Sequence, residues 1–121
     1  MRGAAAGSTF ADVLSARSEE SVLGGVVVTS STGRRGSVVR AHGELDTAGT
    51  TRLERVCTRS IPPSGSTLTL DLEGITFAGS AAMAFLRRLL ASLDAAHVRV
   101  VIRPSEPIQR LLEMVEAERP T

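Results

Sequence analysis

Leu68, Leu70 and Leu72 alternate with Thr67, Thr69 and Asp71, and a few residues later Met83, Leu86, Leu90 and Leu93 recur at intervals of three and four. The first pattern has the period of a strand with one buried face, and the second that of an amphipathic helix. Between them lie Gly74 and Gly79, read as turn positions, and Ser80 at the helix start, where a side-chain oxygen can cap the first N–H groups. A strand leading through a short loop into a helix is half of a β-α-β unit. It commits the chain to layered α/β architecture.

The flanking segments repeat the theme. Gly25–Thr29 and Ser37–His42 read as two strands joined through the polar Ser30–Gly36 connection, hence a hairpin. Asp46 or Thr47 offers an N-cap to a helix whose inward stripe is Leu53, Val56 and Cys57, with a first turn weakened by Gly49. Pro62 and Pro63 stop that helix. Val98–Ile102 is a further strand, and Pro104-Ser105-Glu106-Pro107 opens a last helix with the apolar face Ile108, Leu111, Leu112 and Val115. The order β-β-α-β-α-β-α predicts a single small α/β domain. Its sheet should be four-stranded and mostly parallel, with an antiparallel edge strand and packed helices. Leu70, Leu86, Leu90, Val100 and Leu111 are the expected core. Residues 1–21, rich in Ala, Gly and Ser, read as a flexible tail, and 22–121 as the domain.

Composition narrows the functions. A chain of 121 residues supports one core. A formal charge of +1 calls for neither nucleic acid nor an anionic membrane, and 2% aromatics without Trp or Tyr removes the stacking platforms that bases use. Cys57 is the only cysteine, so no internal disulfide can form. Without a bilayer-length apolar run or a compact signal core, the expected location is the cytoplasm.

The chemistry-bearing residues form few constellations. His42 and His97 lack partners at ligand spacing, so no metal is expected. Cys57 falls on an apolar stripe, where it acts as a small hydrophobe. Gly74–Gly79 matches neither phosphate-binding glycine pattern, so no cofactor is assigned. The pairs Arg34-Arg35 and Arg87-Arg88 read as solvated faces. Ser80 lacks the G-x-S-x-G elbow that would present a nucleophile, and no catalytic residue is assigned. In His42-Gly43-Glu44-Leu45-Asp46-Thr47 a strand should end at a bend and acidic groups should meet a helix start. If the two strands are parallel neighbours, Asp46 and Ser80 share the rim where such folds place their sites.

Gly43-Glu44-Leu45-Asp46, followed by Leu70-Asp71-Leu72-Glu73-Gly74-Ile75-Thr76-Phe77 and then Ser80, resembles the STAS domain of bacterial anti-sigma factor antagonists. The similarity runs from about Gly25 to Met114 and includes Ser105–Leu112. The resemblance implies a non-enzymatic binding protein that docks an anti-sigma factor with an ATPase-kinase fold and releases the sigma factor. It implies phosphorylation at Ser80 by that partner, resetting by a phosphatase, and a contact surface made of Glu44, Asp46, Thr47, Gly79, Ser80, Ala81 and Ala82. The family places Asp before its serine and often Ser or Thr then Gly after it; here stand Gly79, Ala81 and Ala82. A STAS subunit of a larger regulatory or transport assembly, never phosphorylated, is the alternative. Related domains also continue further beyond Met114, so the N-terminal segment or a second copy in a homodimer is expected to cover part of the core.

Overall fold

A computed structural model describes residues 18–23 and 25–118. The elements are β1 (Ser18–Leu23), β2 (Val26–Gly33), β3 (Gly36–Leu45), α1 (Thr47–Arg59), β4 (Thr67–Ala78), α2 (Ser80–Ala95), β5 (Arg99–Pro104) and α3 (Glu106–Glu118). They form one sheet of five strands in the order β1-β2-β3-β4-β5. β1, β2 and β3 pair antiparallel, whereas β3, β4 and β5 pair parallel. The α/β class is as expected, but the sheet has five strands rather than four. The additional strand takes Ser18–Ser21 out of the expected tail. Ser-Glu-Glu-Ser carries no apolar alternation to announce a strand, and a backbone ladder needs none. The rest of that tail, residues 1–17, lies outside the described residues.

Both parallel crossovers step across the sheet in the same direction, so right-handedness puts α1 and α2 on one face. Ile108 and Leu111 of α3 join the same buried cluster as Val28, Val39, Leu68 and Leu70. All three helices therefore cover one face. On α2 the inward positions are Ala82, Phe85, Leu86, Leu89 and Leu93. Leu90, expected in the core, is only half-buried because the helix turns Phe85 and Leu89 toward the sheet instead. Val100 is likewise half-buried, packed against the core from the short strand β5. Leu70, Leu86 and Leu111 are buried as expected.

β4 does not end at Leu72, and Gly74 is not a turn. From Arg40 to His42 β3 advances two residues while β4 advances three, from Asp71 to Gly74. From Gly43 to Glu44 β3 advances one while β4 advances two, from Ile75 to Phe77. Each mismatch is a β-bulge, and each resets the alternation, so Leu72 and then Ile75 face the core although they are three apart. Gly74 is required there: a Cβ on it would stand 2.5 Å from the Cβ of His42. The bulges carry β4 onward to the rim.

The rim at Asp46 and Ser80

β3 and β4 end side by side, with Leu45 paired to Ala78. The Gly79 N–H donates to the Leu45 carbonyl at 3.4 Å, binding one loop to the other. Asp46 and Ser80 thus open their helices from adjacent parallel strands at one end of the sheet.

Asp46 is the N-cap of α1, and its Oδ1 accepts the Gly49 N–H at 2.7 Å. Gly49, which reads in the sequence as weakening this turn, is what lets it close. A Cβ there would lie 2.7 Å from the Glu44 carbonyl oxygen and 3.1 Å from Asp46 Oδ1. At α2 the N-cap position belongs to Gly79, extended at φ −97° and ψ −166°, and Ser80 is the first helical residue rather than the cap. No side chain caps α2, and its first turn contains no acidic residue. The Ser80 side chain is exposed and makes no hydrogen bond to another described residue. A hydroxyl presented on an uncapped, electropositive helix end suits an anionic group well.

Glu44, Asp46, Thr47 and Ser80 are exposed, and Gly79 and Ala81 are half-buried. Ala82 is fully buried and is removed from the contact surface: the first turn of α2 points it into the core. The residue that sequence reading missed is Phe77, 52% exposed and paired across the strands with Glu44. The vacant Cβ position of Gly79 lies 3.6 Å from its ring. Taking β4 to end at Leu72 hid it; counting two bulges would have turned it outward.

The bulge that positions this rim is held by Asp71. Its Oδ1 accepts the Glu73 N–H at 3.1 Å and its Oδ2 the Arg40 Nε at 3.0 Å. Burial pushes the Asp71 carboxyl up, but the Glu73 N–H, Arg40 and the nearby charge of Arg103 outweigh it and hold it below the ordinary aspartate value.

Other candidates are chemically quiet. Burial pushes the Cys57 thiol up to about 12, with Glu54 adding to it, so it is not a nucleophile. Arg87 and Arg88 are not simply solvated. Arg87 forks onto Glu118 at 2.8 and 3.0 Å, and Arg88 onto Glu54 at 2.8 and 2.7 Å. The cleft of about 70 Å³ between α1 and α2 holds the Glu54–Arg88 pair and does not include Ser80. Among the described residues, no group of three or more His, Cys, Asp or Glu could hold a metal ion, and no helix is long and apolar enough to cross a membrane.

A mixed sheet with helices on one face and two helix starts side by side at one end defines a small α/β fold. The family model described as STAS domain matches residues 26–119, and the chain belongs to that family. The STAS fold is in general non-catalytic, and anti-sigma factor antagonists are among its members. No curated protein sequence matches the chain.

Proposed function

We propose that this STAS protein is an anti-sigma factor antagonist, switched by phosphorylation of Ser80. In this reading the rim of Glu44, Asp46, Thr47, Gly79, Ser80 and Ala81, extended by Phe77, docks an anti-sigma factor with an ATPase-kinase fold in the cytoplasm. Docking displaces the sigma factor. The partner transfers a phosphoryl group from ATP to the Ser80 Oγ, which loses its proton as the bond to ADP breaks. A phosphatase restores the hydroxyl.

The observation that carries the reading is the state of Ser80: exposed, outside any hydrogen bond to another described residue, and flanked by small residues at the head of α2. A phosphate there adds about −1.5 to −2 charge at pH 7. The helix end tolerates that charge, whereas a packed interface beside Phe77 and the carboxylates of Glu44 and Asp46 does not. The test is binding of the kinase-type partner to Ser80 variants. Ser80→Ala should bind and remain bound in ATP, and Ser80→Asp should bind at least ~10-fold more weakly, a difference of about 1.4 kcal/mol. Equal binding by the Asp variant would contradict the switch.

One observation favours the alternative, an unphosphorylated STAS subunit of a larger regulatory or transport assembly. Gly79 supplies no carboxylate next to Ser80, and α2 has no side-chain cap. Tight binding of the partner without phosphoryl transfer would decide for it.

A further inference from the structure

β5 is the last strand of the sheet, and no strand lies along its outer side among the described residues. Its residues Arg99–Pro104 pair with β4 in unbroken register, and none of them is buried. The Arg99 N–H donates to the Ser66 carbonyl at 3.0 Å. With Arg99 opposite Thr67, that bond fixes the alternation of the parallel ladder: Arg99, Val101 and Arg103 turn their main-chain groups toward β4. Val100 and Ile102 turn theirs away. The N–H and carbonyl groups of both residues therefore stand along the free edge, and none of them bonds to another described residue. An extended backbone is the partner that matches such a row.

The charged side chains of this strand carry one sign. Arg99, Val101 and Arg103 project from the open face of the sheet, all exposed, with alternate residues ~6.6 Å apart. The charge of Arg103 reaches Asp71, but both Asp71 oxygens already accept, one from the Glu73 N–H and one from Arg40. The acidic residues nearest in sequence, Asp94 and Glu106, belong to α2 and α3 on the other face, and Glu106 pairs with Arg110.

A second copy does not match this edge. Antiparallel pairing of β5 with itself uses all the free groups when Val100 meets Ile102, and that register sets Arg99 against Arg103 twice. A head-to-tail copy would present β1, the other edge. There Glu20 is the only acidic position on the open-face row, which leaves one arginine unmatched. We infer that β5 is a docking edge, and that its occupant is an acidic extended segment of a partner protein, added as a further strand. A carboxylate, a β-branched residue and a second carboxylate at alternate positions of that segment meet Arg99, Val101 and Arg103. The arginines and Pro104 that keep this edge from pairing with itself thus select the partner by charge. The inference does not depend on the role of Ser80.

The experiment titrates the ¹⁵N-labelled full chain with an acetylated, amidated peptide of about ten residues, long enough to span the strand. The peptide is centred on Glu-Thr-Val-Thr-Glu, which fits the edge in either direction; a control carries Lys in place of Glu. The expected result is slowed amide exchange at Val100 and Ile102, which are unbonded in the free chain. The amides of Val101 and Arg103, already turned to β4, should change little. Binding should weaken with added salt. Arg99→Glu and Arg103→Glu, each confirmed folded by circular dichroism, should lower affinity at least ~10-fold. Five outcomes would overturn the inference: no shifts at millimolar peptide, equal binding of the Lys control, binding that leaves exchange at Val100 and Ile102 unchanged, shifts confined to the Ser80 rim, or protection of those two amides by dimers of the chain alone.

Discussion

Gly79 donates its N–H to the Leu45 carbonyl at 3.4 Å, and that bond joins the loop in front of Ser80 to the loop in front of Asp46. The two helix starts therefore form one surface, yet they are built unequally. Asp46 caps α1 with its carboxylate, while Gly79 leaves α2 uncapped.

That asymmetry makes a substitution informative. A Cβ on Gly79 would meet only the Phe77 ring, at 3.6 Å, an ordinary contact, and the backbone there is extended. Gly79→Asp should therefore fold, and should stabilise the chain by ~0.3–1 kcal/mol through capping and the helix dipole. Denaturant unfolding checks the stability. Initial rates with the kinase-type partner should rise if a carboxylate beside the serine helps to orient it.

Asp71 makes a pH-dependent contribution of predictable sign. Its folded-state value is held below the ordinary one near 3.9, so its stabilisation is fully present above about pH 4 and is lost as pH falls through the lower folded value. Asp71→Asn can still accept the Glu73 N–H but loses the charge on Arg40. It should cost about 1 kcal/mol at pH 7, discounted for an Arg40 side chain that is 63% exposed. The gap between wild type and variant should close on acidification to about pH 2, measured by urea unfolding across the range. A gap that does not change with pH would mean that the carboxylate charge is not what holds the bulge.

The contact between Gly74 and His42 tests the bulge itself. Gly74→Ala should destabilise by about 1–3 kcal/mol, because its Cβ would fall 2.5 Å from that of His42. His42→Gly removes the opposing carbon, so the double variant should recover part of the loss, a coupling that a double-mutant cycle reads directly.

Much of this architecture is legible in the sequence. The alternation at Leu68–Leu72 and the stripes of α1 and α3 come from the same burial that the structure shows. Asp46 announces its cap. What is hidden has physical causes. β1 is held by backbone pairing, which leaves no apolar signature in Ser18–Ser21. The upper half of β4 breaks period two at each bulge, so Gly74 reads as a turn and Phe77 as loop. Leu90 sits at the edge of its helical stripe, where spacing alone does not distinguish half-burial from burial. Ser80 reads from the sequence as the cap of its helix, whereas it is the first helical residue, because Gly79 takes the cap position with its backbone alone and offers no side chain that would mark it.

The central claim is that Ser80 is a phosphoacceptor at a partner interface, and intact-mass spectrometry tests it most directly. The full chain is incubated with its cognate kinase-type anti-sigma factor, ATP and magnesium, beside Ser80→Ala. Ser80→Ala should unfold within about 0.5 kcal/mol of wild type, since the exposed side chain makes no hydrogen bond to another described residue. The account predicts that wild type gains one phosphate, mapped to Ser80, and dissociates from the partner, while Ser80→Ala gains none and stays bound. Wild type that binds tightly and remains unmodified, or that carries its phosphate on another residue, would contradict it.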